Sequence, residues 1–296
     1  MVARHASPLE ALLVDERFDG EINPFEPMSR HTTYRIGGPA RYFARVHSVG
    51  ALARVLEACK AVGKKWYIVG RGSNLLVADE GVDAAVIVLG RDFRSMRYDE
   101  EKSRLMLGAG VPLSAAVQEA FRRSLAGLEF AVGTPGSVGG AVRMNAGSRD
   151  EWLGARVESV TSFSAEGGLV RRHGSEIEWG YRCSSFPADE ILVECELNME
   201  PADPFYIRGK MEASLKRRKA TQPLRQPSCG SVFKNPEGAS AGDLIERISD
   251  VHANFIVNTG NATARDVLSL IELVQGKVLE AYGVALKPEV KLLGFE

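Results

Sequence analysis

The chain has 296 residues, of which 45% are hydrophobic and 25% charged, a composition typical of globular proteins. At about 150 residues per domain this length predicts two domains, with three small ones as an alternative. The 37 basic and 38 acidic residues leave a net charge of −1, which argues against binding to nucleic acid or to a membrane surface. No apolar stretch approaches the ~18 residues of a membrane span, and the N-terminus lacks the pattern of a secretory signal. We therefore expect a cytoplasmic protein.

Cysteine and histidine spacing indicates neither a disulfide framework nor a metal centre. Cys59, Cys183, Cys195 and Cys229 contain no CxxC pair, and the five histidines are scattered along the chain. We expect reduced thiols and no metal in the site.

Apolar spacing predicts the elements of the first half. Val49, Leu52 and Leu56 recur at three- and four-residue intervals, so we expect an amphipathic helix over Ser48–Val62 with Ser48 as its N-cap. The other expected elements are a helical lead-in over residues 1–20, strands at Trp66–Val69, Ala84–Leu89 and 104–110, and a helix over Pro112–Arg123 that begins with proline.

The second half begins with alternating segments and ends with helices. Asp203-Pro204 marks a boundary, after which a basic helix is expected over Tyr206–Thr221. The other expected elements are strands at Ser159–Phe163, Leu169–Arg172 and Ile191–Leu197, helices over Ser240–Ile248 and Thr263–Tyr282, and a final strand at Pro288–Leu293.

Two glycine-rich segments stand out. Gly133–Ser148 reads GTPGSVGGAVRMNAGS, with almost nothing in it that could build a core, and Val69–Asn74 reads VGRGSN. Exposed N–H groups in such segments make concavities that bind anions, so a diphosphate is the expected guest. Gly70–Asn74 could equally be a tight turn. Neither segment has the third glycine and following helix of a dinucleotide fingerprint, or a Walker A Gly-Lys-Ser/Thr, so we expect a different cofactor fold.

Several other candidates have two interpretations from chemistry alone. The basic run from Lys210 to Lys219 is either a solvated helix face or, with Arg225 and Lys234 nearby, an anion site. The proline-bounded segment Pro227–Pro236 has a Gly-Ser centre that is usually a turn, and no histidine or lysine partner for a nucleophile can be read beside it. Residue chemistry does not connect these segments with Arg182 or Glu289.

Taken together, the segments resemble the UDP-N-acetylenolpyruvoylglucosamine reductases. The resemblance runs from about Asn23 to the C-terminus, and its motifs follow the family order. They are Thr32-Thr33-Tyr34-Arg35-Ile36-Gly37-Gly38, Val69–Leu76, Gly127-Leu128-Glu129 before Gly133–Gly147, Gly180-Tyr181-Arg182, Gly230–Pro236 and Pro288-Glu289-Val290.

The resemblance implies an α+β fold. A two-subdomain FAD-binding unit of the vanillyl-alcohol-oxidase (PCMH) type would be followed by a smaller α/β substrate-binding domain. The corresponding boundaries are a lead-in at 1–22, FAD-binding subdomains at 23–90 and 91–202, and a substrate-binding domain at 203–296. Only about twenty residues separate Arg182 from Asp203, so the chain is similar to the shorter subtype, without the inserted tyrosine that closes over substrate in some members.

The resemblance also implies the site. Arg182 and Glu289, the latter protonated when it acts, would stabilise the charge that develops beside a carboxylate, and Ser231 would be the general acid. NADPH would be the hydride donor and UDP-N-acetylglucosamine enolpyruvate would be the substrate, in peptidoglycan precursor synthesis. The protein would be a bacterial enzyme that acts as a monomer. The implied substrate-binding residues are Tyr181, Arg225, Lys234 and Asn235. The implied contacts of a non-covalent FAD are Gly70, Arg71, Gly72, Ser73, Asn74, Thr134, Pro135, Gly136, Ser137, Gly139, Gly140, Asn145, Ala146 and Gly147.

Two other functions stay open. The first is a different flavoenzyme on the same fold, such as an alcohol or sugar oxidase. Many of those tether flavin through histidine or cysteine, whereas no histidine lies in either glycine-rich segment. The second is a non-catalytic nucleotide-sugar or flavin sensor, against which the presence of Arg182, Ser231 and Glu289 argues.

Overall fold

The computed structural model describes residues 7–148, 150–246 and 254–295. Its helices are α1 (Pro8–Leu12), α2 (Val49–Ala61), α3 (Leu113–Arg122), α4 (Val138–Arg143), α5 (Pro204–Thr221), α6 (Ala241–Glu246) and α7 (Ala264–Tyr282). Its strands are β1 (Gly20–Pro27), β2 (Pro39–Val46), β3 (Trp66–Ile68), β4 (Leu75–Val77), β5 (Val82–Leu89), β6 (Met96–Asp99), β7 (Arg104–Gly108), β8 (Leu125–Ala126), β9 (Val157–Ser164), β10 (Gly168–His173), β11 (Trp179–Gly180), β12 (Cys183–Ser184), β13 (Ile191–Asn198), β14 (Glu200–Pro201) and β15 (Lys291–Leu293).

The predicted Ser48 cap is confirmed, and α7 also begins with a side-chain cap. The Ser48 hydroxyl accepts the Ala51 N–H at the start of α2, and Thr263 and Asp266 form a capping box at the start of α7. In the lead-in, the described helix is limited to α1, which Ser7 caps. The final strand is shorter than expected and begins at Lys291. Residues 247–248 of the helix expected over Ser240–Ile248 lie outside the described residues.

The chain divides into two compact units. The first contains residues up to Pro24, Tyr42–Gly70 and Ala84–Arg218, and the second contains Phe25–Arg41, Arg71–Asp83 and the chain from Lys219 onward. Each unit is a group of residues in contact with one another and combines separate stretches of the chain. The units therefore do not test the predicted subdomain boundaries at residues 23, 91 and 203, which stay predictions.

The first unit is built on an antiparallel five-stranded sheet of order β10-β9-β13-β7-β6. Most of a four-stranded sheet of order β1-β2-β5-β3 also belongs to this unit, and within it β3 and β5 pair in parallel. A single apolar cluster includes side chains of α2, α3, α4 and the five-stranded sheet. This core holds α4 in place, and α4 carries the middle of the longer glycine-rich segment.

The second unit has its own core. Tyr34, Leu76, Phe233, Val267 and Val290 are among its buried members, which come from three separate stretches of the chain. The strand β15 pairs in parallel with β4, with Lys291 opposite Leu75. This pairing brings the C-terminal segment beside the chain that follows the first glycine-rich segment. Among the described residues, no helix combines the length and apolar character that a membrane span requires.

Candidate active site

The longer glycine-rich segment contributes to the core, contrary to our expectation. Its middle forms α4, and Val138, Ala141 and Val142 on this helix are all buried in the core of the first unit. Their i, i+3, i+4 spacing is a helical signal that the abundance of glycine obscured.

Its backbone N–H groups also differ from the expected row of exposed donors. Val138 N–H donates to Val111 O at 2.8 Å, and Gly139 N–H donates to Ala109 O at 2.9 Å. A Cβ on Gly139 would lie 2.8 Å from the Ala109 Cβ, so packing requires glycine at this position. The contacts of Thr134–Gly147 with a cofactor stay predictions, and the structure assigns a packing role to part of the segment.

The two glycine-rich segments meet inside the first unit. A Cβ on Gly70 would lie 2.3 Å from the Ser137 hydroxyl oxygen. That hydroxyl is the N-cap of α4, where it accepts the Gly140 N–H at 3.3 Å. The first segment therefore passes so close to the start of α4 that a side chain at position 70 would displace the Ser137 hydroxyl.

The remainder of the first segment, Arg71–Asn74, belongs to the second unit. Gly72 has a φ of +61°, and its carbonyl accepts the Thr33 N–H at 3.1 Å. The Asn74 side-chain amide donates to the backbone carbonyl of Glu289 at 3.2 Å. Asn74 thus contacts the segment that carries a predicted catalytic residue. Arg71 is exposed and Ser73 is half-buried.

Arg182 lies at the tip of a short hairpin in the first unit. Tyr181 and Arg182 connect β11 to β12, and Arg182 has a φ of +56°, a left-handed conformation that costs about 1–3 kcal/mol for most residues. Its guanidinium donates to Gly147 O at 2.8 Å and lies 5.3 Å from the centre of the Tyr181 ring. The hairpin therefore presents Arg182 beside the end of the longer glycine-rich segment.

Ser231 and Glu289 lie on adjacent segments of the second unit. Glu289 N–H donates to Val232 O at 2.7 Å, and Phe233 pairs with Pro288 in an isolated antiparallel bridge. Burial raises the pKa of the neighbouring Cys229 thiol to about 12, and the negative charge of Glu289 contributes to this rise. Two predicted catalytic residues that are far apart in sequence are thus close in the fold.

The predicted substrate-binding residues are spread over both units. Tyr181 is 50% exposed, Arg225 is exposed and Lys234 is half-buried. The Asn235 side-chain oxygen accepts the Ala241 N–H at 3.0 Å, which ties this residue to the start of α6. Their binding roles stay predictions.

Arg218 was not among the predicted site residues, although the basic run contained it. Its guanidinium donates to the Thr134 hydroxyl at 2.6 Å, and its methylene stem lies near Gly133. Desolvation lowers the pKa of Arg218, and the charges of Arg182 and Arg217 lower it further. A positive field therefore surrounds the start of the glycine-rich segment, as an anionic cofactor would require. The described residues hold no cluster of histidine, cysteine or acidic side chains able to bind a metal.

Comparison with known proteins defines the class first. A family model described as an FAD binding domain matches residues 40–172. In fold alone, the chain is similar to 6-hydroxy-D-nicotine oxidase from Arthrobacter nicotinovorans, with a TM-score of 0.50 at 19% identity over 64% of this chain and 44% of that one. The predicted α+β, FAD-binding fold is confirmed, and the protein is an FAD-dependent oxidoreductase.

The closer similarities define the family. A model described as UDP-N-acetylenolpyruvoylglucosamine reductase, C-terminal domain, matches residues 222–293. The chain is 43% identical to the reductase of that name from Heliobacterium modesticaldum, over 94% of this chain and 92% of that protein, and 40% identical to the one from Synechococcus, over 94% of each. The crystal structure of the Thermus caldophilus enzyme matches with a TM-score of 0.80 at 36% identity, over 93% of this chain and 99% of that one. The chain belongs to the UDP-N-acetylenolpyruvoylglucosamine reductase family.

Proposed function

We propose that this protein reduces UDP-N-acetylglucosamine enolpyruvate to UDP-N-acetylmuramate, with NADPH as the hydride donor, in peptidoglycan precursor synthesis. The observation that carries this proposal is the similarity to reductases of that name over 94% of the chain. The pairing of the Ser231 and Glu289 segments supports it, because the reaction needs a proton donor and an acid near one another.

The residues of the first unit fit a bound FAD. Gly70 packs without room for a Cβ, and Gly133 and Gly136 have φ values of +73° and +135°. Arg218, held at Thr134, would supply positive charge for the FAD diphosphate. Contacts of the remaining residues of the two glycine-rich segments with the cofactor, including Asn74, stay predictions.

The chain's own residues then have defined tasks. The flavin, once bound and reduced by NADPH, would supply a hydride to the methylene carbon of the enolpyruvyl ether. Arg182 and Glu289 would stabilise the negative charge that spreads onto the adjacent carboxylate. Ser231 would donate its proton to the other carbon, because a carbanion is basic enough to take a proton from a hydroxyl. Tyr181, Arg225, Lys234 and Asn235 would bind the UDP-sugar.

Separating the two half-reactions tests the proton donor. Ser231→Ala should leave the reduction of the flavin by NADPH nearly intact. Reoxidation of the flavin by the enolpyruvyl substrate should slow by roughly 10²- to 10⁴-fold, the usual contribution of a general acid. Both rates are measured by stopped-flow absorbance of the flavin.

A matched control is Ser269→Ala, an exposed serine on α7, which should change neither rate. An equal fall of both half-reactions in Ser231→Ala would show that the proton-donor role is wrong. Failure of the enolpyruvyl substrate to reoxidise the wild-type flavin would disprove the proposed function itself. Acid precipitation should release the flavin, and flavin that stays with the protein would favour a covalent flavoenzyme instead.

A further inference from the structure

Each glycine-rich segment has, at or near its end, an asparagine whose side chain contacts a predicted catalytic segment. Asn145 follows α4, and its side-chain N–H donates to Gly180 O at 3.0 Å, next to the Tyr181-Arg182 turn. Asn74 ends the other segment, and its side-chain N–H donates to the Glu289 carbonyl at 3.2 Å.

The environment of Asn145 explains why this residue type is needed. The residue is only 6% exposed and has a φ of +44°, a conformation that asparagine adopts more readily than most side chains. Its side-chain oxygen accepts the Gly154 N–H at 2.9 Å while its nitrogen holds Gly180. Aspartate would lack the donor, and glycine would lack both groups. The amide of Asn145 therefore bridges two backbone segments.

These bonds belong to a set that holds the Arg182 hairpin on both sides. The Ser184 hydroxyl donates to Arg143 O at 2.7 Å, and Arg182 itself donates to Gly147 O at 2.8 Å. Arg182 has an unfavourable left-handed backbone in a two-residue connection between strands. Its geometry therefore depends on contacts from outside the hairpin.

Asn74 does the same for Glu289 in the second unit. Its backbone carbonyl accepts the Lys291 N–H at 3.0 Å, which begins the parallel pairing of β15 with β4. The side chain and the main chain of Asn74 therefore bind the C-terminal segment at Glu289 and at Lys291, two residues apart. This places Glu289 in a fixed register relative to the first glycine-rich segment.

We infer that Asn145 and Asn74 are positioning residues: Asn145 orients the turn that presents Arg182, and Asn74 orients the segment that presents Glu289. The catalytic consequence rests on the proposed function, whereas the local ordering does not. The glycine-rich segments would thus serve the chemistry as well as the cofactor, because a shift of about 1 Å in a charged group can cost 10²-fold in rate.

Hydrogen exchange of the purified holoprotein, read by mass spectrometry, tests the ordering without any turnover. Asn145→Gly keeps a residue that tolerates positive φ and removes both side-chain bonds. Exchange of residues 178–185 should become about tenfold faster, the effect of losing one net hydrogen bond. Asn74→Ala should accelerate exchange of residues 286–292 by a similar factor. Each variant should leave the other's segment unchanged, so the two serve as controls for each other.

Val160→Ala controls for a general loss of stability, because Val160 is buried in β9, where it pairs with Arg172 and Cys195. The rates of the two half-reactions are measured on the same samples. Asn145→Gly and Asn145→Asp should slow reoxidation by the enolpyruvyl substrate about tenfold more than they slow reduction by NADPH.

The outcomes separate the two claims. Unchanged exchange in both segments, or equal acceleration by Val160→Ala, would overturn the positioning role. Segment-specific exchange with a wild-type flavin that the enolpyruvyl substrate does not reoxidise would retain the ordering and refute the proposed function. Segment-specific exchange with both half-reactions slowed equally would refute the link to Arg182.

Discussion

The contact between Gly70 and Ser137 gives the sharpest structural prediction. Alanine at position 70 would place its methyl group 2.3 Å from the Ser137 hydroxyl oxygen and 3.2 Å from the Ser137 Cβ. The hydroxyl would have to leave the Gly140 N–H, which it caps at 3.3 Å. Because the backbone of Gly70 is not left-handed, the penalty of Gly70→Ala comes from this collision.

The magnitude follows from three contributions. Loss of an N-cap costs about 1 kcal/mol, and overpacking of a tight contact costs about 1–3 kcal/mol. Restricting the unfolded chain by replacing glycine with alanine returns about 0.4–1 kcal/mol. Gly70→Ala should therefore lower the free energy of unfolding of the first unit by about 2 kcal/mol. In a Ser137→Gly background, where both colliding atoms are gone, the same substitution should cost almost nothing.

Urea unfolding followed by tryptophan fluorescence measures this directly. All three tryptophans, Trp66, Trp152 and Trp179, lie in the first unit, so their emission reports its unfolding. Gly209→Ala is the matched control. This glycine is exposed on α5 with open space around it, and the substitution should raise the stability by about 0.5–1 kcal/mol. The reasoning would be refuted if Gly70→Ala lowered the free energy of unfolding by the same amount in the Ser137→Gly background as in the wild type.

Two further predictions concern titratable groups. Cys183 is exposed, whereas Cys59, Cys195 and Cys229 are buried, and burial raises the pKa of each of these three thiols, to about 12 for Cys229. N-ethylmaleimide at pH 8 should therefore label one thiol per native chain and four in urea. Labelling of Cys229 in the native protein, read by peptide mass spectrometry, would contradict the structure. Burial raises the pKa of Glu190, but hydrogen bonds from Arg172 and Ser162 outweigh the effect of burial and hold the pKa below the ordinary 4.5. The ionised Glu190 carboxylate therefore stabilises the fold above pH 4.5, and this stabilisation is lost as the pH falls through the lowered pKa. Glu190→Gln should therefore cost about 3 kcal/mol at pH 7, with the gap from wild type narrowing in acid urea titrations, and a gap independent of pH would show that the ion pair is not its origin.

Local signals in the sequence predicted most of the secondary structure. Helix α2 follows from apolar spacing and a serine cap, and α7 was expected to begin at Thr263, because such signals depend only on residues within a few positions of each other. The short helix α4 was missed because its glycines suggest a loop, while its stability comes from burying Val138, Ala141 and Val142 in a core made of distant elements.

The candidate site divides in the same way. The motif order indicated the family, the FAD-binding fold and the candidate residues Arg182, Ser231 and Glu289. No spacing in the sequence could show that Glu289 lies beside the Ser231 segment, because the two are brought together by backbone pairing between Val232 and Glu289. The simplest interpretation of the basic run was a solvated helix face. The sequence could not show that Arg218 in this run donates a hydrogen bond to the Thr134 hydroxyl.

The sequence by itself therefore determined the family and the class of cofactor and supplied candidate residues for the chemistry, because these depend on which groups the chain carries and in what order. Tertiary structure alone decided what those groups contact. Glycine is favoured at position 70 because the Ser137 hydroxyl lies where a Cβ would be, and the side-chain amides of Asn74 and Asn145 donate to the carbonyls of Glu289 and Gly180. Such contacts join residues dozens to hundreds of positions apart, and only the packing of each unit's core sets their distances.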